Sequence, residues 1–344
     1  MNNVDAIVIG AGQSGLAATH ALNARGITPL VLEAGANPVG SWPHYYDSLT
    51  LFSPARYSAL PGMSFPGDPD HYPHRDEVVD YLRTYAAHLD ADLRTGHRVT
   101  TVTRSDTFTV RTDQETFTAP IVIAATGGFG RPHRPDLPGL ETFTGTVLHV
   151  TDYRDPAVFA GQRVIVVGAG NSAVQVATEL AAHAEVSLAS RTPVSFVPQR
   201  PLGRDVHFWF TVTGLDIAPI GRWLPNHVTA PVLDTGIYRA ALTAGRPDRR
   251  PMFTTLEDDK VTWPDGQVEK IDAIILATGY RPDLPYLRDL GTLASDGTPL
   301  HSGGISRTHR GLGYVGLEWQ RSLASASLRG VGRDARHVVA RLLG

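Results

Sequence analysis

Two stretches of the chain share one pattern of apolar and polar positions. Residues 4–34 and 162–191 each contain a short apolar run, a glycine turn, a segment of small residues with helical spacing, and a second apolar run. Continuous apolar runs such as Ile7–Ile9 and Val164–Val167 are typical of strands buried on both faces of a parallel sheet. Each stretch therefore predicts a βαβ unit of about 30 residues, and the two units form an internal repeat.

A second repeated pattern brackets the later unit. Residues 121–128 and 273–280 are apolar runs that end in Ala-Thr-Gly and lead into proline-rich turns. The order of these elements predicts an α/β protein with two Rossmann-like dinucleotide-binding domains, the second inserted in the first. We expect the chain to cross between the domains near 150–158 and 279–284.

These crossings define the predicted domains. The first domain would comprise residues 1–155 and, after the return of the chain, residues 279–344. The second domain would comprise residues 156–278. Prolines and aromatic residues break the periodic pattern over 195–250, and we interpret this segment as an irregular insertion within the second domain.

Composition narrows the class of protein. The chain has 344 residues, 42% hydrophobic and 19% charged, which is typical of two globular domains with real cores. A net charge of −3 offers no basic footprint for nucleic acid. The absence of cysteine excludes a disulfide reductase of the dithiol type. Without a basic leader or an apolar run of membrane-spanning length, the expected location is the cytoplasm.

The first βαβ unit carries a G-x-G-x-x-G turn, whose glycines are Gly10, Gly12 and Gly15. In such a turn the glycines allow the tight bend, the close approach of a pyrophosphate and the packing of the helix on the strand. The phosphates would lie at the helix start, near Gln13 and Ser14. Glu33 ends the second strand, where a carboxylate accepts hydrogen bonds from an adenosine ribose.

The second unit carries the G-x-G-x-x-A variant and its helix start, with Gly168, Gly170, Ala173, Asn171 and Ser172. Its second strand ends in Ser190 and Arg191 instead of an acid. A guanidinium pairs with a 2′-phosphate that a carboxylate would repel, so this site favours NADPH, unless Arg191 is only a solvated surface residue. The two motifs together indicate two different dinucleotides, FAD first and NADPH second.

A third motif, F-x-G-x-x-x-H-x-x-x-Y, precedes the second unit and consists of Phe143, Gly145, His149 and Tyr153. Together with the two nucleotide units and the two Ala-Thr-Gly segments, it resembles the class B flavin-dependent monooxygenases. The final tyrosine is similar to the flavin-monooxygenase branch, whereas a tryptophan would look like a Baeyer–Villiger enzyme. The resemblance implies that His149 is a hinge and orienting residue at the domain junction. A buried histidine bonded to a backbone carbonyl is compatible with that role.

The resemblance extends over most of the chain and implies further cofactor contacts. The segment VGSW is similar to the family's turn beside the flavin, although Val39 replaces its first glycine. A helix start near Ser325 would face the pyrimidine end of the flavin and stabilise the reduced, anionic flavin. Trp319 would either shelter the flavin or fill the core. The additional predicted contacts are Ala34, Ser41, Trp42, Thr126, Gly127, Thr278, Gly279, Trp319 and Ser325.

One position departs from the family pattern. The segment LTLFSP, residues 49–54, is similar to the family's L-x-T-N-x-P and places Phe52 where the flavin-facing asparagine stands. Because phenylalanine cannot hydrogen-bond a peroxyflavin, the resemblance implies that another group does so or that stabilisation is poorer. Bound NADP+, Arg56 and the Tyr45–Tyr46 pair remain open as substitutes.

The resemblance implies an NADPH-dependent, FAD-containing monooxygenase. It would insert one oxygen atom from O2 into a small organic substrate through a C4a-peroxyflavin, by N- or S-oxygenation or a Baeyer–Villiger-type reaction. One alternative is an NADPH oxidase or diaphorase that reduces O2 or a quinone; another is an FAD-bearing redox sensor, against which the complete second site argues. His71 and His74 lie in a proline-rich loop and predict no metal site. The substrate stays open, as does a homodimer.

Overall fold

A computed structural model describes residues 2–221 and 231–344. Residues 222–230, part of the predicted insertion, lie outside the described residues. The α-helices in the described ranges are Gln13–Asn23 (α1), Arg75–Ala87 (α2), Asn171–Leu180 (α3), Val206–Thr213 (α4), Ile237–Thr243 (α5) and Leu328–Leu343 (α6). The 3-10 helices there are Trp42–His44, Ala55–Tyr57, Pro156–Phe159, Pro201–Gly203, Leu215–Ile217 and Pro285–Leu290. None of these helices combines the length and apolarity needed to cross a membrane.

The first domain is built on a seven-stranded sheet. In spatial order its strands are His301–Ser302, Ile305–Ser306, Leu312–Tyr314, Ile121–Ala124, Ala6–Ile9, Leu30–Leu32 and Asp92–Arg94. Val8 packs with α1 and α6 on one face of this sheet. Ile7 packs on the other face with the smaller sheet Asn2–Asn3, Thr116–Ala119, Phe108–Thr112 and Val99–Arg104. Because both faces are covered, the strand before the first glycine turn is apolar without alternation.

The second domain repeats this plan on a five-stranded parallel sheet. Its strands, in spatial order, are Thr146–His149, Ala273–Leu276, Arg163–Val167, Glu185–Ser190 and Asp248–Pro251. Helices α3 and α5 cover one face. The antiparallel strands Thr255–Glu257, Lys260–Thr262 and Val268–Lys270 cover the other. The insertion contains a parallel pair, Phe196–Pro198 and Val232–Asp234, which packs on the same side of the sheet as α3 and α5.

The chain passes between the domains at two short strands that pair with each other. Arg131–Pro132 leaves the first domain and is antiparallel to Tyr280–Arg281, which returns to it. The first crossing therefore lies earlier than the predicted 150–158, and the predicted boundary at residue 155 falls inside the second domain. The strand Thr146–His149, which the prediction assigned to the first domain, pairs along its length with Ala273–Leu276 of the second sheet. Two-residue strands have no periodicity, so the sequence pattern did not indicate this crossing.

Candidate functional site

Each glycine turn is closed by one of the two Ala-Thr-Gly segments. Gly10 has a φ of +97°, and a Cβ there would lie 3.0 Å from the carbonyl oxygen of Ala125. Gly168 has a φ of +150°, and a Cβ there would overlap the carbonyl oxygen of Ala277. Only glycine combines these backbone angles with so close an approach. The repeated Ala-Thr-Gly therefore has a steric reason, since each segment forms one wall of a nucleotide turn.

The starts of α1 and α3 have no side-chain cap. Their N-cap residues, Gly12 and Gly170, contribute no side-chain hydrogen bond to the helix. By contrast, His74, Asp205 and Ser327 cap α2, α4 and α6. The first-turn N–H groups of α1 and α3 thus remain available to an anion, and the positive end of each helix dipole favours one. Both helix starts fit the pyrophosphate of a dinucleotide.

Gln13 joins three segments around the start of α1. Its side-chain Nε2 donates to the carbonyl of Ala326 at 2.5 Å, and its Oε1 accepts from Trp42 Nε1 at 3.0 Å. Ser14 beside it is buried, and a Cβ at Gly316 would overlap the Ser14 hydroxyl. The structure therefore brings Gln13, Ser14 and Trp42 together with the turn that precedes α6.

Glu33 connects the end of its strand to the glycine turn. The residue is buried, with 8% of its surface exposed. Oε2 accepts the N–H of Ala11 at 2.7 Å, and Oε1 accepts the N–H of Gly35 at 2.7 Å. Each oxygen retains a second lone pair, so the carboxylate fits a ribose while it holds the turn. Ala34 follows it at the surface.

Arg191 occupies the corresponding end of the second unit. It is exposed directly after the strand Glu185–Ser190, and it makes no ion pair with the parts of the chain that the structure describes. Beside it, the Ser190 hydroxyl donates to the carbonyl of Thr192 at 2.8 Å. At the other end of the unit, Asn171 accepts the N–H of Leu233, which links the start of α3 to the insertion. An exposed guanidinium that pairs with no acid among the described residues fits a 2′-phosphate.

His149 is fully buried at the crossing between the domains. Its Nε2 donates to the carbonyl of Gly279 at 3.1 Å, and its Nδ1 accepts the N–H of Thr151 at 3.2 Å. Its ring meets Tyr280 edge to face. Burial lowers the pKa of His149, so the imidazole is neutral near pH 7 with one fixed tautomer. Both ring nitrogens are occupied by the fold, which suits an orienting residue and not a proton donor.

Tyr153, the last residue of the same motif, reaches α3. Its hydroxyl donates to Glu179 at 2.8 Å, and its ring packs on Tyr46 of the first domain. The Tyr46 hydroxyl in turn donates to Gln175 of α3. The motif and the Tyr46 loop therefore hold the second nucleotide helix in place. Sequence reasoning missed Gln175 and Glu179, because neither spacing nor periodicity marks a contact between such distant segments.

The Phe52 ring is partly exposed, and Arg56, one of its proposed substitutes, is already paired with an acid. The Phe52 side chain is 45% exposed. Arg56 pairs with Asp70 at 2.8 Å, so its charge is already neutralised at the surface. Burial raises the pKa of Tyr45 to about 12, and its hydroxyl lies 3.3 Å from the Ser41 hydroxyl. Neither Arg56 nor Tyr45 is poised as a free charge.

The threonine of each Ala-Thr-Gly segment makes a hydrogen bond to another residue of the protein. The Thr126 hydroxyl lies 3.0 Å from the Tyr286 hydroxyl, and the Thr278 hydroxyl donates to the carbonyl of His133. Gly127 and Gly279 follow them with φ values of +74° and +82°. Each turn thus places a glycine in the left-handed region directly after its threonine.

The closing segment differs in detail from the expectation. Helix α6 begins at Leu328 with Ser327 as its N-cap, close to the predicted start near Ser325, and its position relative to a flavin stays a prediction. Ser325 is fully buried, and its hydroxyl accepts the N–H groups of Arg321 and Ser322 at 3.0 and 2.9 Å, so it shapes the turn before the helix. Trp319 is half-buried with a φ of +55°, and its contact with a cofactor stays a prediction.

No group of three or more histidine or acidic side chains within residues 2–221 and 231–344 could hold a metal ion. His71 instead bonds Glu77 at 3.0 Å, and His74 caps α2. These two histidines therefore stabilise the start of a helix in the first domain.

Comparisons with known proteins place the chain among flavin enzymes. Residues 7–203 match the family described as pyridine nucleotide-disulphide oxidoreductase. An uncharacterized CzcO-like oxidoreductase of Geobacillus kaustophilus is 32% identical over 98% of this chain and 97% of that protein. Indole-3-pyruvate monooxygenase YUCCA1 of Oryza sativa subsp. japonica is 33% identical over 84% of this chain and 80% of that protein.

Solved structures of monooxygenases are similar to this chain as well. A flavin-containing monooxygenase from Stenotrophomonas maltophilia is 31% identical, with a TM-score of 0.87 over 100% of this chain and 99% of that chain. Cyclohexanone monooxygenase, at 19% identity and a TM-score of 0.70, shares the fold. The predicted fold class, two Rossmann-like domains with the second inserted in the first, is confirmed.

Proposed function

The chain belongs to the pyridine nucleotide-disulphide oxidoreductase family and, within it, to the class B flavin-dependent monooxygenases; from this premise we propose that it transfers one oxygen atom from O2 to the nitrogen, sulfur or carbonyl group of a small organic substrate at the expense of NADPH. It is an oxidoreductase, and the cofactors of its family are FAD and NADPH, as the two glycine turns predicted. The observation that carries the proposal is the presence of two complete nucleotide turns, one ending in Glu33 and the other in Arg191.

The residues of the first unit fit FAD. The start of α1 would hold the pyrophosphate and Glu33 the adenosine ribose, while Gln13 and Trp42 shape the adjoining turn. In the second unit, the start of α3 would hold the pyrophosphate of NADPH and Arg191 its 2′-phosphate. When bound, FAD would supply the redox chemistry that links NADPH to O2.

The protein itself contributes by holding the two nucleotide sites in a fixed relative position. Tyr46 and Tyr153 hold α3 against the first domain through Gln175 and Glu179. His149 ties the strand before the second unit to the returning crossing at Gly279. These contacts would keep the hydride donor and its acceptor in one geometry, and holding two reactants in place removes much of the entropic barrier to their reaction.

Phe52 gives the oxidase alternative its only specific support. A phenyl ring offers no hydrogen bond to a developing oxyanion, so oxygen transfer could be replaced by release of H2O2. The opposing interpretation is that the ring keeps water out, which protects oxygen transfer. We favour the second interpretation, because the Phe52 ring, although 45% exposed in the chain alone, is held in place by stacking on His207 and by the bond from Gln199 to its carbonyl.

Phe52→Asn should therefore raise the share of NADPH that ends as H2O2, since a polar side chain admits solvent. Coupling is measured as sulfoxide formed and H2O2 released per NADPH with methyl phenyl sulfide, and Phe52→Leu, which stays apolar, is the matched control. Better coupling in Phe52→Asn would show instead that the site lacks a donor. A wild type that yields only H2O2 with amines, sulfides and ketones alike would favour the oxidase.

A further inference from the structure

Asp205 is the hub of a hydrogen-bonded cluster between the insertion and the first domain. Its side chain is 11% exposed. The carboxylate accepts from the Tyr72 hydroxyl at 2.6 Å, from Gln199 Nε2 at 2.7 Å, and from both the N–H and Nδ1 of His207 at 2.8 Å. Although burial raises the pKa of Asp205, these bonds outweigh it and lower the pKa to about 2. The carboxylate is therefore charged at neutral pH and binds its donors strongly.

Two of these donors also hold Phe52. Gln199 Nε2 donates to the Phe52 carbonyl at 3.0 Å. The His207 ring stacks on the Phe52 ring at a centroid distance of 6.2 Å and an interplanar angle of 22°. His207 stacks on Tyr57 in a similar way at 6.0 Å. One carboxylate thus orients both the group that holds the Phe52 backbone and the ring that supports its side chain.

A second contact between the insertion and the first domain does not involve Phe52. Asp216, which is buried, accepts from Arg329 of α6 at 2.6 and 3.0 Å, and its carbonyl accepts the N–H of Ala324. The described part of the insertion therefore also meets the first domain at Asp216 and Arg329. Of these two contacts, the Asp205 cluster is the one that bonds Phe52 itself, through Gln199.

We propose that Asp205 is a positioning residue for oxygen transfer, acting through Gln199 and His207 to hold the Phe52 ring where it keeps water out. The inference rests on the proposed function, which places Phe52 beside the flavin. In the coupled reaction, NADPH, H+, O2 and a sulfide give NADP+, H2O and the sulfoxide. In the leak, NADPH, H+ and O2 give NADP+ and H2O2. A mobile Phe52 shifts the balance toward the leak, because water can then enter the site where oxygen is transferred.

The test is Asp205→Asn in the protein as purified with its cofactor. Hydrogen exchange of the peptide covering residues 49–58 should become about tenfold faster, because losing one charged hydrogen bond raises the equilibrium constant for local opening by about that factor. The ratio of H2O2 to NADPH consumed with methyl phenyl sulfide should rise severalfold. The KM for NADPH should stay within about twofold, because Asp205 lies outside the nucleotide turns.

Three variants separate this role from general docking of the insertion. Asp216→Asn loosens the contact with Arg329, which also lies over the Tyr57 ring at 5.9 Å, and it should leave the H2O2 ratio at the wild-type value because Phe52 keeps its own contacts. Gln199→Met removes the bond to Phe52 and should reproduce Asp205→Asn, which keeps the test decisive if that variant fails to fold. Tyr72→Phe removes a donor that does not reach Phe52 and should leave the H2O2 ratio unchanged.

Equal effects of Asp205→Asn and Asp216→Asn on the H2O2 ratio would overturn the proposal, as would an Asp205→Asn variant with unchanged exchange and unchanged H2O2. A wild type that does not oxidise NADPH would instead refute the proposed function. In that case the exchange of residues 49–58 still decides whether Asp205 holds Phe52.

Discussion

Glu33→Ala should yield a folded protein that has lost most of its FAD. The carboxylate holds the N–H groups of Ala11 and Gly35, and in the proposed complex it also binds the adenosine ribose. A hydrogen bond to a charged group contributes about 1.5–3 kcal/mol, so losing the ribose contact and the order of the turn should weaken FAD binding by about a hundredfold. The measurement is FAD content per chain after purification, followed by titration of the apoprotein with FAD.

The matched control is Glu115→Ala, which removes a more exposed carboxylate of the same domain that pairs with Arg94. It should retain FAD. NADPH binding should change less than FAD binding in Glu33→Ala, because the second unit is separate. Full retention of FAD by Glu33→Ala would contradict the assigned role of Glu33, and a wild type that neither carries nor takes up FAD would refute the assignment of the first unit.

Arg191→Ala should raise the KM for NADPH by about ten- to a hundredfold and leave the KM for NADH nearly unchanged. The reason is the loss of a charge-assisted pair with the 2′-phosphate, which contributes about 1.5–3 kcal/mol and which NADH cannot form. Because Arg191 is exposed and makes no ion pair with the described residues, its removal leaves no buried charge behind. Steady-state kinetics with both coenzymes measure the effect.

Arg249→Ala is the control for this variant, since Arg249 is exposed on the neighbouring strand of the same sheet. It should leave the preference for NADPH intact. Equal losses with NADPH and NADH in Arg191→Ala would show that Arg191 supports the fold and does not select the coenzyme.

The nucleotide units could be recognised from the sequence because their constraints are local. Gly10 and Gly168 adopt positive φ values against a neighbouring carbonyl, and this requirement restricts the residue type itself. Apolar runs that are buried on both faces likewise leave a continuous signal within a few residues. The order of the two units, with an acid after one and an arginine after the other, then determined the fold class and the predicted pair of cofactors.

The contacts between the domains were decided only by the tertiary structure. Tyr46 bonds Gln175 across 129 residues, and Tyr72 bonds Asp205 across 133 residues. A side-chain hydrogen bond needs only the right atoms at the right place, so it leaves no period or spacing in the chain. The first crossing was not predicted for a related reason. Its strand has only two residues, and it is a strand because it pairs with the distant segment Tyr280–Arg281. Local backbone conformation restricts which residue types are possible, so it can be predicted from the sequence. Contacts between distant segments depend instead on how the whole chain packs.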